Sequence, residues 1–500
     1  MGTWEGLVTG LNFALQPGVL IFCLLGVLLG TFVGVLPGIG AMAAISLLLP
    51  ITYYISAEAA LIMLAGVYYG AQYGGAVASI LMRLPGTPQS AVTALDGYPM
   101  ARDGRAGAAL FAAMVSSFAG SIIGIVVLVL LAGWLSRVAV AFGAADYAAM
   151  MVLGLVAAST IGSARPAKGF AMIVLGMLLG CIGTDVNSGA MRFTFGQTEL
   201  LDGVNLVALA MGLFGVAEVI GNVRDPERQA VTEKIGFRQM APTRDDLRRM
   251  VFPSLRGSGL GSFFGALPGT GSTLSSFLSY AMERRIARRP ERFGHGAIEG
   301  VAGPEAANNS AAITAFVPTL TLGIPGDPIM ALMLGALVIH GVQPGPMMLE
   351  ARPEMFWGLV ASFGIGNLLL LILNLPLIGV WVALLRIPFR WLYPAILIFI
   401  CLGVYSVRGL TYDIVAVAGI GLAGYLLALA RFNPALLLLG FVLGPLIETN
   451  LRRALLISRG DPMVFLERPI SAAFVVAIAG LLLLSLVQWV RRRRRTIPAR

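Results

Sequence analysis

The sequence predicts an all-α polytopic membrane protein with about 10–12 transmembrane segments arranged as two internal repeats. Three observations carry this: an apolar composition, the placement of the basic clusters, and two Pro/Gly motifs that each occur twice. Of 500 residues, 57% are hydrophobic and 12% charged, and the mean hydropathy is +0.85. A soluble domain carries about 25% charged residues, so half of the usual solvated surface is missing. Apolar runs near the roughly 20 residues needed to span a bilayer recur, at Leu110–Leu135, Val204–Ile220, Trp357–Leu385, Ile414–Ala430 and Ala472–Trp489.

No cleavable signal is expected, because the first apolar stretch, near Val19–Val35, lacks a basic flank and runs into a Pro/Gly motif. Cys23, Cys181 and Cys401 stand singly in apolar context and read as packing residues. His295 and His340 have no ligand-spaced partner, so no metal site is expected. The net charge of +10 gathers in loops and a tail, where the positive-inside rule accounts for it without nucleic acid.

The basic clusters are Arg224–Arg256, Glu283–Arg292 and Arg491–Arg495. Short Lys/Arg-rich loops remain cytoplasmic, which places all three on one side, the tail at the inner face of a bacterial inner membrane beside its lipid. Gly257–Met282, 26 residues without a charge, lies between two of them. One crossing would separate the clusters, and two would need about 40 residues. A re-entrant hairpin satisfies both limits, with its tip at the helix-breaking Gly265–Gly271. Non-helical backbone at membrane depth must face protein or a watery cavity.

Thr31–Gly40 aligns with Ser262–Gly271, and Leu84–Pro88 with Ile324–Pro328, at offsets of 231 and 240 residues. Paired Gly/Pro-interrupted segments in two halves point to a secondary transporter's site. The first half has no Lys or Arg before Arg83, which favours an inverted repeat opening to the opposite side over the alternative, a parallel duplication. The expected layout is a first repeat at 1–222 (tip 34–40, broken helix 85–88) and a cytoplasmic basic linker at 223–256. A second repeat with C-terminal helices follows at 257–490 (tip 265–271, broken helix 325–328), then a basic cytoplasmic tail at 491–500.

Broken helices expose N-termini that suit anions and carbonyls that suit cations. The expected substrate-binding residues are Gly38, Gly40, Thr87, Gln89, Ser90, Gly269, Thr270, Gly271, Ser272, Asn308 and Asn309. The expected cation-binding residues are Pro37, Gly86, Thr87, Pro268, Asn309, Gly326 and Asp327. Asp96 reads as a turn residue, with cation binding as its alternative. No phosphate loop and no nucleophile–base pair is present, so neither ATP hydrolysis nor other enzymatic activity is expected. A channel-like permease and a membrane-embedded enzyme are the alternatives to a transporter; duplication within one chain fits alternating access better than a symmetric pore.

At Gly34–Gly40, Tyr68–Gly75, Pro85–Gly107, Arg192–Gly196, Glu199–Gly203, Gly265–Gly271, Gly296–Asn309 and His340–Pro346 the chain resembles the large membrane subunit (TctA) of tripartite tricarboxylate transporters. The resemblance covers nearly the whole chain. It implies a carboxylate importer driven by Na⁺ or H⁺, without other cofactor. It also implies a small membrane subunit and a periplasmic solute-binding protein as partners, and a homo-oligomer is compatible with it. The family commonly has Asn where Arg83 stands and a small residue where Asp327 stands, so citrate is not carried over as the substrate.

Overall fold

A computed structural model describes residues 2–36, 39–139, 141–160, 165–185, 188–222, 240–267, 271–345, 348–385 and 389–495. The first half contains α1 (Thr3–Ala14), α2 (Pro17–Val35), α3 (Gly40–Thr52), α4 (Ala57–Met82), α5 (Thr93–Met100), α6 (Ala106–Ala139), α7 (Ala144–Thr160) and α8 (Pro166–Gly180). A two-stranded ribbon of β1 (Gly183–Thr184) and β2 (Met191–Arg192) follows. Next come α9 (Leu206–Ala210) and α10 (Ala217–Asn222), joined by a π-helical stretch. The second half contains α11 (Arg244–Gly265), α12 (Gly271–Ile286), α13 (Glu299–Thr314), α14 (Phe316–Leu322), α15 (Pro328–Ile339), α16 (Met348–Ala351) and α17 (Pro353–Asn374). It closes with α18 (Ile378–Leu384), α19 (Phe389–Arg408), α20 (Thr411–Leu429), α21 (Pro434–Ile457), α22 (Val464–Glu467) and α23 (Pro469–Arg495). Among the described residues six helices are long and apolar enough to cross a membrane, and six shorter ones are apolar. The protein is an all-α polytopic membrane protein.

Glycines set the packing. Cβ atoms added to Gly26, Gly30 and Gly34 of α2 would lie 2.2–2.4 Å from the carbonyl oxygens of Met63, Val67 and Ala71 of α4. Those added to Gly257, Gly261 and Gly265 of α11 would meet the carbonyls of Gly303, Ala307 and Ala311 of α13 just as closely, at 2.2–2.4 Å. Only residues without a side chain permit this backbone approach. Both numbers in each pair rise together, so α2 runs parallel to α4 and α11 parallel to α13. The intervening α3 and α12 must therefore return the chain, which makes α2–α3 and α11–α12 helical hairpins. The two glycine sets stand 231 residues apart and their partners 240 apart, the offsets that relate the sequence motifs.

The hairpin base is closed by charge. Arg256 donates to Glu283 through Nε at 2.8 Å and Nη2 at 2.7 Å, so the residues flanking the uncharged segment sit at one level. The tip, about nine residues further along α11, lies roughly 14 Å from that base.

The long helices also end alike. α4 ends at Arg83 and α14 at Gly323, both left-handed (φ 57° and 70°) and again 240 residues apart. Each following segment folds back on its own helix. A Cβ on Gly86 would lie 2.8 Å from Gly75 Cα, and one on Gly326 would lie 3.1 Å from Ala315 Cα. Between halves the direction reverses. Tyr69 and Phe316 both pack on the Phe363 ring, whereas Tyr73, one turn further along α4, faces Glu305, three turns back from Phe316. α4 and α13 are antiparallel.

Within the expected linker at 223–256, Thr243 caps a helix that starts at Arg244 and runs without interruption to Gly265. Of the rest of that linker, 223–239 lie outside the described residues. One expectation needs correction. The run Trp357–Leu385 is not one span: α17 stops at Asn374, and a turn holding Pro376 separates it from α18, since proline cannot continue the hydrogen-bond ladder.

Candidate functional site

The four chain breaks meet in one cavity of about 570 Å³. Gly40 comes from the first hairpin, Gly271 and Ser272 from the second, Gly86, Thr87 and Gln89 from the first broken helix, and Asp327 from the second. Glu218 of α10 and Asn433, which caps α21, complete the polar wall. Apolar surface comes from Met42, Phe214, Ile329 and Leu436.

Helix starts give the cavity its electrostatics. α3 and α12 begin at Gly40 and Gly271, both left-handed at φ 64° and 66°, and α15 begins at Pro328, after Asp327. The starts of α3 and α12 bring partial positive charge to the cavity, whereas α15 opens with a proline and its Met330 N–H is already taken by Asp327. Among the described lining residues there is no lysine, arginine or histidine, while Glu218 and Asp327 are carboxylates. An anion would be held here by N–H groups and hydroxyls, and a cation by carboxylate and carbonyl oxygens.

Polar contacts tie the halves together beside the cavity. Tyr68 of α4 donates to Asp327 Oδ2 at 2.5 Å, and Asp327 Oδ1 caps Met330 N–H at 2.9 Å. Gln89 Nε2 donates to Ser272 Oγ at 3.0 Å. Thr87 Oγ1 is buried, with no hydrogen-bond partner.

Other expected residues sit elsewhere. Ser90 is behind the wall, bonded to Ser79 and to the Thr87 carbonyl. Gly326 packs on Ala315. Asn308 and Asn309 are fully buried on α13, where Asn308 donates to Glu305 and Asn309 to Ser117. Pro37, Gly38, Pro268, Gly269 and Thr270 lie outside the described residues. Arg83 is not paired with Asp327; its guanidinium lies 5.8 Å from the Tyr98 ring centroid. Asp96 is a clamp rather than a simple turn residue: its Oδ1 accepts N–H bonds from Gly294, Gly296 and Ala297 at 2.8–2.9 Å.

Sequence reasoning passed over Tyr68, Glu218 and Glu305. For Glu305 the signal was present, as a lone acid inside the otherwise uncharged run from Gly300 to Pro325. Glu218 carries the same signal, as the lone charge between Asp202 and Arg224; Tyr68 carries none comparable.

Comparison with known proteins gives one family. The model of the "Tripartite tricarboxylate transporter TctA family" matches residues 20–439. The chain is similar to an Agrobacterium vitis protein described as "Uncharacterized 52.8 kDa protein in TAR-I ttuC' 3'region", 50% identical over 490 residues (98% of this chain, 97% of that protein). A second A. vitis protein, "Uncharacterized protein in TAR-II ttuC' 3'region", is 53% identical over 234 residues, 47% of this chain and 97% of its own length. No solved structure matches.

Proposed function

Because the chain belongs to the tripartite tricarboxylate transporter TctA family, we propose that it is the large membrane subunit of a binding-protein-dependent secondary transporter. On this reading it imports an organic carboxylate across the bacterial inner membrane by alternating access, with Na⁺ or H⁺ as the coupling ion. It works with a small membrane subunit and a periplasmic solute-binding protein. The carrying observation is the convergence of two hairpin starts and two broken helices on one cavity. A shared offset and antiparallel long helices favour two inverted repeats, so that one half can rock against the other around a fixed site.

The electrostatics favour symport. Carboxylate entry opposes the inside-negative potential by about 2.3 kcal/mol per charge per 100 mV, and the cavity adds two acidic side chains. An anion entering beside Glu218 and Asp327 needs accompanying cations. Family membership points to transport rather than to an enzyme.

Gln89→Cys and Ser272→Cys, each in a background lacking the native cysteines, test the site. Both thiols should react with a small permeant reagent and be protected when citrate or another carboxylate of a di- and tricarboxylate panel is present with Na⁺ at acidic pH. Reaction rates unchanged by every carboxylate would refute the assignment.

A further inference from the structure

Glu305 has no exposed surface and does not line the cavity. Its partners are neutral. Thr93 of α5 donates to Oε1 at 2.5 Å, while Ser117 of α6 and Asn308 donate to Oε2 at 3.1 and 3.2 Å. Asp146, Asp246 and Glu283, also buried, face arginines, and Asp96 takes three backbone N–H groups; Asp327 resembles Glu305 in having neutral donors, Tyr68 and the Met330 N–H. An ionisable side chain that faces Glu305 is Tyr73 of α4, which brings no positive charge. The cluster is also short of donors. Asn309 spends its amide N–H groups on Ser117, Asn308 and the Glu305 carbonyl, and its own buried Oδ1 receives none.

A buried, unpaired carboxylate costs several kcal/mol and takes up a cation or a proton instead. Here neighbouring groups already touch through hydrogen bonds of 2.5–3.2 Å. A metal ion would need its oxygens spread around a hole, whereas a proton needs no space.

We infer that Glu305, with Thr93, Ser117, Asn308 and Asn309, forms a proton-binding site separate from the substrate cavity, occupied in this conformation. Binding is the reversible protonation of the Glu305 carboxylate to the neutral acid, with water on either side as the proton's source and destination. On protonation the 2.5 Å Thr93 contact reverses, and the new O–H donates to Thr93 Oγ1. Thr93 and Ser117 belong to the first half, and Glu305, Asn308 and Asn309 to the second. Movement of one half against the other would open the buried cluster to water, which stabilises the carboxylate and releases the proton. This role deepens the transport reading; occupancy of the site does not depend on it.

Infrared spectroscopy of the purified full-length protein tests occupancy without any substrate. The wild type should show a protonated-carboxyl C=O stretch that shifts in D₂O and disappears in Glu305→Gln. Thr93→Val, which removes the hydrogen bond at Oε1, should move that band to higher wavenumber and decides the matter if Glu305→Gln does not fold. A wild-type spectrum whose carboxyl region is unchanged by both substitutions overturns the inference. So does Na⁺-dependent thermal stabilisation of the wild type that Glu305→Gln abolishes, because the occupant would then be a metal ion.

Discussion

Arg256 and Glu283 form a two-bond ion pair across the base of the second hairpin, at 2.8 and 2.7 Å. Between them lie 26 uncharged residues, too few for two full crossings. Glu283 is 2% exposed and Arg256 39%, so the carboxylate depends on the guanidinium. Arg256→Ala should lower stability by about 1–3 kcal/mol, below the 3–5 kcal/mol typical of a fully buried pair. Exchanging the two residues should recover most of the loss. Thermal unfolding in detergent measures both, and an Arg256→Ala protein as stable as wild type would remove the clasp.

The clasp holds both flanks at one level, and their basic residues predict that level to be cytoplasmic. A cysteine at Arg288, in a background without native cysteines, should resist an impermeant reagent added outside intact cells and react after permeabilisation. Rapid labelling from outside would place the hairpin base on the periplasmic face and overturn the cytoplasmic placement.

The glycine contacts predict matched damage in the two halves. Gly30→Ala and Gly261→Ala each drive a methyl to within 2.4 and 2.2 Å of a backbone carbonyl, and overpacking of this kind costs about 1–3 kcal/mol or more. Both should lower the melting temperature clearly. Gly259→Ala, with open space around its Cβ position, should be neutral or slightly stabilising, since alanine favours the helix by about 1 kcal/mol. Equal tolerance of all three substitutions would contradict the parallel helix pairs.

Acid should weaken the start of α11. Burial pushes the Asp246 carboxyl up, but hydrogen bonds from Arg105 and Thr243 outweigh this and hold it below its usual value. A carboxyl lowered by folding stabilises the native state above its unfolded pKa of about 4 and loses that effect as pH falls through the folded value. Melting temperature should therefore fall faster below about pH 4 in wild type than in Asp246→Asn. Parallel acid limbs would show that Asp246 contributes nothing to this dependence.

Much of the fold was legible because membranes impose simple rules. The uncharged segment Gly257–Met282 falls within the α11–α12 pair, and the repeated Pro/Gly motifs fall where described helices end or begin, at Gly40, Arg83, Gly271 and Gly323. For Asn308 and Asn309 the sequence does not say which way they face, because adjacent amides in an apolar run look alike whether they face a cavity or a carboxylate. Only packing shows that they point to Glu305 and Ser117. The Tyr68–Asp327 bond joins residues 259 apart, and no local pattern announces a pair at that separation. The start of α11 after Thr243 is legible in the sequence, since Thr243 with Asp246 is a capping box.

On the proposed function, the cavity between the two halves carries out cation-driven carboxylate transport. Proteoliposomes holding this chain with its small subunit, supplied with a solute-binding protein loaded with labelled carboxylate, test it most directly. With an inward Na⁺ or proton gradient and no ATP, label should accumulate inside above its outside concentration, and dissipating both gradients should abolish that accumulation. Uptake that only equilibrates, or that requires ATP whatever the gradients, would contradict the account.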